Sequence, residues 1–168
     1  MIIMTKLRTK KDVFRVDGRL KQITTVTDEK GDIIHKFLSP VMVEVYPRDI
    51  MQIIIGAMIL AVPVAYTEET WKLGETLPML NILLLFLMSI LFIGVFIYYN
   101  YYRGTLKEHS GEFIKRVFVT YLFSMLVVGL LLSLIGKGID NGFILFLKRG
   151  IIVSLPASLS GAVVDTIK

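Results

Sequence analysis

The chain has 168 residues, 54% of them hydrophobic, and a mean hydropathy of +0.67. That excludes an ordinary soluble domain: the apolar residues come in unbroken blocks of roughly 17–25, the length that a hydrocarbon layer about 30 Å thick requires. The net charge of +5 therefore reads as Lys and Arg flanking membrane spans, not as a nucleic-acid surface, and the lack of cysteine excludes a disulfide framework or a thiolate zinc site.

The opening M-I-I-M-T-K-L-R-T-K-K lacks the apolar core and cleavage site of a signal peptide, so the first span is expected to target the protein. Residues 1–46 read as a polar cytoplasmic module containing a β-hairpin. Residues 19–27 and 32–38 are rich in β-branched side chains, and Asp28-Glu29-Lys30-Gly31 between them suits a hairpin loop. Residues 41–46 alternate and suggest a third strand between Pro40 and Pro47. His35 and His109 each stand alone, with no second ligand at useful spacing, so no metal site and no cofactor are expected.

The first span is predicted over residues 49–66, with Asp49 as its N-cap after Pro47. At 100° per residue Asp49, Gln52, Gly56, Pro63 and Thr67 share one face of an otherwise apolar helix. Such a stripe faces protein or water, as a packing seam or as the wall of a pathway. Thr67-Glu68-Glu69-Thr70-Trp71 closes this span, with Trp71 as an interface anchor. In a straight helix Glu68 lies about 28 Å from Asp49, near the far edge of the hydrocarbon. Carboxylates there attract cations, hold a proton, or pair with bases.

A second span is predicted over residues 77–99, capped by Thr76 and so apolar that it should face lipid most. Tyr98, Tyr99, Tyr101 and Tyr102 form an aromatic belt at its end. A third span follows over residues 117–135, softened by Thr120, Ser124, Gly129 and Ser133. The last, over residues 143–165, reaches full length only by including Lys148 and Arg149. Gly150, Ser154, Ala157, Ser158, Gly161 and Asp165 recur along it at helical spacing, and Pro156 interrupts it. A helix with one whole side small or polar belongs inside a bundle or oligomer, not against lipid.

Four spans put both termini on one side. Lys36, Arg48, Arg103, Lys107, Lys115, Arg116 and Lys168 on that side, against Lys72, Lys137, Lys148 and Arg149 on the other, favour the cytoplasm for it. Two layers of ion pairs follow. Glu68 and Glu69 face Lys148 and Arg149 at the outer edge, and Asp165 meets Arg48, Asp49, Lys115 and Arg116 at the inner edge. The fold class is an all-α membrane protein: a four-transmembrane-helix bundle over residues 47–168 with a small β-rich cytoplasmic N-terminal module.

No enzyme constellation is present, neither a Cys–His pair, a phosphate loop nor a nucleophile elbow, so no catalysis is expected. The expected function is a homo-oligomeric channel or transporter for a small cation or proton in the cell membrane. Its pathway candidates are Glu68, Glu69, Gln52, Ser154, Ser158 and Asp165. Arg48, Asp49, Arg116, Lys148 and Arg149 are candidate structural ion pairs, membrane lipid is the other partner, and nucleic acid is not one. The alternative is a non-transporting scaffold or sensor subunit that acts through the N-terminal module.

Pro47-Arg48-Asp49, Gly56, Pro63, Tyr66-Thr67-Glu68-Glu69, Trp71-Lys72-Leu73-Gly74, Pro156-Ala157-Ser158, Ala162 and Asp165 resemble an uncharacterised family of small integral membrane proteins of archaea and bacteria. The resemblance covers most of the chain. It implies a multi-helix membrane protein and supplies no activity.

Overall fold

A computed structural model describes residues 8–16, 19–27, 33–40, 44–103, 106–107, 109–139 and 142–167. Its contacts divide the chain into two compact units, Met1–Glu44 and Val45–Lys168.

The first unit is a three-stranded antiparallel meander in the order β1 (Arg8–Val16), β2 (Arg19–Thr27), β3 (Ile33–Pro40). Arg8 pairs with Thr27 and Val16 with Arg19. On the other side of β2, Lys21 pairs with Pro40, and the register slips at Val26/Thr27. The third strand is thus β1, not residues 41–46: residues 44–46 carry no strand, and 41–43 lie outside the described residues. The sequence signal for β1 is Asp17-Gly18 between two alternating runs, a strong two-residue hairpin signature. The expected loop over residues 28–31 also lies outside the described residues.

The second unit holds four helices long and apolar enough to cross a membrane. They are α1 (Pro47–Ala65), α3 (Met79–Ile97, continued by a π-helical turn at Tyr98–Tyr102), α4 (Ser110–Leu134) and α5 (Phe143–Asp165). A short helix, α2 (Glu68–Thr76), joins α1 to α3. At 1.5 Å per residue the spans measure about 28–38 Å, enough for the hydrocarbon layer.

The boundaries have local causes. Pro47 stands at the start of α1, where a missing N–H costs nothing. Tyr46 is the N-cap and Asp49 occupies the third helical position, so Asp49 is not the cap. Its carboxylate instead reaches back to accept the Tyr46 N–H at 3.2 Å. Pro63 removes a hydrogen bond near the other end, and the helix stops at Ala65. Thr67 then caps a new helix, with Glu68 and Glu69 in its first turn, where the helix dipole favours acids. The Glu-Glu pair therefore opens α2 and does not close α1. Thr76 is the last residue of α2, and Pro78 precedes α3.

α5 is the centre of this unit and packs against α1, α2, α3 and α4. Its tightest crossing is with α1. A Cβ on Gly56 would stand 2.9 Å from the Gly161 Cα and 2.9 Å from the Ser160 carbonyl oxygen. Only glycine lets these two backbones meet so closely. Above that crossing, Ala57, Ala61, Ala65, Val128, Leu132, Val153 and Ala157 form a closed apolar core. The buried seam of α1 runs through Asp49, Ile53, Gly56, Ala57, Ala61 and Ala65, while Pro63 and Thr67 of the expected stripe are exposed. α3 is the least buried span and turns Leu80, Leu83, Leu84, Leu87 and Leu91 outward, as suits lipid.

Candidate functional site

The Gly56–Gly161 contact places the start of α1 beside the end of α5. Asp49 lies two helical turns before Gly56, and Asp165 lies one turn after Gly161. α4 begins at Ser110, about two turns earlier than the sequence suggested, so Arg116 lies within the helix and not in a loop. The three side chains meet at the end of the bundle where α1 begins and α5 ends. Asp49, Arg116 and Asp165 are each 0% exposed.

The geometry is that of a guanidinium clamped by two carboxylates. Arg116 donates from Nε to Asp165 Oδ2 at 3.0 Å and from Nη2 to Asp165 Oδ1 at 3.2 Å. The same Nη2 donates to Asp49 Oδ2 at 2.9 Å. The forked contact with Asp165 is the strong, orienting kind that only arginine makes. Tyr101 completes the cluster. Its hydroxyl donates to the Asp165 carbonyl at 2.9 Å and lies 3.2 Å from Asp165 Oδ2, and the Arg116 guanidinium carbon sits 3.9 Å over its ring. α1, α4, α5 and the π-helical end of α3 thus each contribute one side chain. The π turn winds wider than an α turn, and such turns often mark functional sites. Here it points Tyr101 at Asp165 while Tyr102 is buried edge-on against Phe113, 5.3 Å between ring centres.

Polar groups continue from the cluster into the bundle. Thr120 and Ser124 follow Arg116 along α4 at one-turn intervals and are fully buried. The Thr120 hydroxyl has no hydrogen-bond partner. Ser124 bonds back to the Thr120 carbonyl at 2.8 Å. On α5, Ser158 and Ser154 are buried; Ser154 meets the Tyr121 hydroxyl at 3.0 Å, and both serines donate to carbonyls of their own helix. Gln52 donates to the Ile167 carbonyl at 2.7 Å and ties α1 to the chain beyond α5.

Several expected sites lie elsewhere. Arg48 is exposed and, among the described residues, makes no ion pair with Asp165. Arg116 and Tyr101 make the contacts to Asp165 instead, and Arg48, one residue before the buried Asp49, is turned to the exposed side of the first turn. Glu68 and Glu69 do not meet Lys148 or Arg149. Among the described residues Glu68 pairs with Lys72 on its own helix, at 3.4 Å and largely in solvent, and Glu69 is exposed. The physical reason is α2: by starting a new helix at Glu68, the chain swings these acids away from α5 and brings round Glu75. Arg149, 2% exposed, donates to Glu75 Oε1 at 2.7 Å, and Lys148 donates to the Leu77 carbonyl at 2.6 Å. Trp71 is a latch as much as an interface residue. Its indole N–H donates to the last carbonyl of α1, on Ala65, at 2.8 Å, and Lys137 lies 4.4 Å over its ring. Glu75 and Tyr101 were missed in the sequence. Glu75 needed α2 to be recognised from its cap and acidic first turn, whereas nothing local announced the π turn that aims Tyr101.

Comparison with known families matches residues 18–165 to the family described as "Putative integral membrane protein (DUF2391)". No curated protein matches the chain, and no solved structure does. With nearly the whole chain matched, from β2 to the last residue of α5, the protein belongs to this family of integral membrane proteins.

Proposed function

We infer that the protein is a transporter of a proton or small cation and that the Asp49–Arg116–Asp165 cluster is its coupling site. The observation that carries this reading is a fully buried cluster of two carboxylates and a guanidinium where three spans meet. Intramembrane ionisable groups are costly to bury and mark ion and proton pathways. Loading either acid with a proton or a small cation changes its hold on Arg116, and so how tightly α1, α4 and α5 are held together. The closed apolar core above the cluster argues for a gated carrier and against an open pore within one protomer. A pore lined by α5 of several copies is also disfavoured, since Ser154 and Ser158 are buried inside their own protomer. In this reading the end of the bundle where α1 begins and α5 ends faces the cytoplasm, and no catalytic step is involved.

The test is flux. Purified protein is reconstituted into liposomes, and proton and Na⁺ movement is followed with a pH-sensitive dye and an isotope. Wild type should show flux above protein-free vesicles. Asp49→Asn should fold and lose it. Flux equal to that of empty vesicles for every ion tried, or unchanged flux in Asp49→Asn, rejects the reading.

A second reading rests on the sheet. Ile33, Ile34 and Phe37 on the edge strand β3 are 47–57% exposed, and an exposed apolar strand edge is a place for a partner to add. In that case deleting residues 1–44 abolishes function in cells while Asp49→Asn is silent.

A further inference from the structure

At the opposite end of the second unit, a cavity of about 470 Å³ is bounded by Gly74 and Glu75 of α2, by Gly142, and by Phe143, Ile144 and Lys148 of α5. Two features make its wall electropositive, and a third lies just behind it. First, it contains the N-terminus of α5, a helix of 23 residues whose N-cap, Gly142, offers no side-chain cap. The first hydrogen bond into that helix is from the Phe146 N–H to Gly142, so the amides of residues 143–145 precede the helical ladder. Second, Lys148 lies in the wall one turn further on.

The third feature is independent of the helix end. Arg149 lies directly behind Gly74: a Cβ on that glycine would stand 2.6 Å from the Arg149 Cγ and 3.5 Å from its Nε. The residue is 98% buried, yet among the described residues only Nη2 is engaged, by Glu75; Nε and Nη1 are buried with no hydrogen-bond partner among them. A guanidinium with two orphaned donors is an expensive thing to bury, each orphan costing as much as a lost hydrogen bond. Its one acceptor, Glu75, is 57% exposed at the side chain and belongs to the cavity wall. Glu75 thus joins the buried Arg149 to the cavity through Nη2, from a side chain that is itself half in solvent.

We propose that this cavity binds an anionic group, a carboxylate or phosphate, which takes Lys148, the free amides of α5 and the unfilled donors of Arg149 as Glu75 yields its place. The wall offers donors that an anion fills directly. A cation meets there one carboxylate already committed to an arginine. The site is independent of the Asp49–Arg116–Asp165 cluster, and binding is read without any flux measurement. Its failure and that of the transport reading are therefore separable.

The experiment uses the full chain in nanodiscs of neutral phosphatidylcholine, melted at constant ionic strength as sodium chloride is replaced by sodium phosphate. A second arm adds phosphatidylglycerol to the disc without phosphate. A saturable rise in melting temperature with phosphate identifies a small soluble anion as ligand; a rise only with phosphatidylglycerol identifies a lipid headgroup. Both support the site. Lys148→Gln should weaken the half-saturation point about tenfold, the loss of one charge-assisted hydrogen bond. Glu75→Gln should strengthen it by a similar factor, since it removes the competitor, whereas a merely structural Glu75 would weaken it or leave it unmoved. Arg149→Gln should abolish binding, and if that variant does not fold, the opposed shifts of the other two decide. No rise in either arm, or a rise identical in wild type, Lys148→Gln and Glu75→Gln, overturns the proposal.

Discussion

Asp49 and Asp165 flank the same guanidinium, but replacing each by its neutral isostere should have very different consequences. Asp165 makes the forked contact through Nε and Nη2 and also receives Tyr101; Asp49 takes a single contact from Arg116 at 2.9 Å. Asp165→Asn therefore loses the forked contact, two charge-assisted hydrogen bonds that together are worth about 3–5 kcal/mol. Asp49→Asn keeps a carbonyl for Arg116 and for the Tyr46 N–H, and should cost about 1 kcal/mol. Arg116→Gln removes the cation that both buried acids share and should exceed both. At roughly 2–4 °C per kcal/mol for a chain this size, the expected loss in melting temperature is about 2–4 °C for Asp49→Asn and about 6–20 °C for Asp165→Asn. The assay is thermal unfolding in one mild detergent, followed by intrinsic fluorescence or by loss of the monodisperse peak. The double variant should lose more than the sum, because it leaves the guanidinium facing two neutral amides. Equal shifts for the two single variants, or a loss below about 1 kcal/mol for Arg116→Gln, refute the assignment of roles.

Gly56→Ala should destabilise by about 1–3 kcal/mol, because its methyl overlaps Gly161 and Ser160 and forces α1 off α5; unfolding in detergent measures it. Trp71→Phe removes the hydrogen bond to Ala65 and weakens the Lys137 contact, at a cost of about 1–2 kcal/mol in the same assay. Glu68→Gln and Glu69→Gln, on the exposed first turn of α2, should change stability by no more than about 0.5 kcal/mol and leave flux unchanged. Tyr101→Phe keeps the ring under Arg116 but loses the donor to Asp165, and should cost about 1 kcal/mol on melting.

The parts of this protein that could be read from its sequence are those set by span length and by charge at span ends. Asp49, Arg116 and Asp165 each sit near the same end of an apolar run, so solvation alone argues that they find one another. The contact at the other end could not be read that way. It depends on where α1 stops, and Pro63 with the Thr67 cap stops it three residues before Glu68. The hydrophobic pattern shows no break there, only a change in capping chemistry, and missing it shifted the acidic partner of Arg149 from the Glu68-Glu69 pair to Glu75. The same holds for the sheet: β-branched composition showed β2 and β3, whereas β1 was marked only by the Asp-Gly that follows it. Tyr101 depends on a wider turn, which is a product of packing and not of any local pattern.

The central place of α5 also dictates an order of assembly. α3 is apolar enough to remain in a bilayer alone, but α5 enters with Lys148, Arg149 and Asp165 and leaves the ribosome after the other three spans. Its ion-pair partners, Glu75 and Arg116, lie on segments made before it, so α5 inserts into a half-built bundle that supplies its counter-charges. Until then Arg116 waits without Asp165, and the early spans have little but lipid and the translocation machinery to hold them. A chain ended after α4 should accordingly be made, inserted and rapidly degraded, and co-expression of α5 as a separate segment should restore it. The arrival of α5 thus marks the point at which the three earlier spans can lock together.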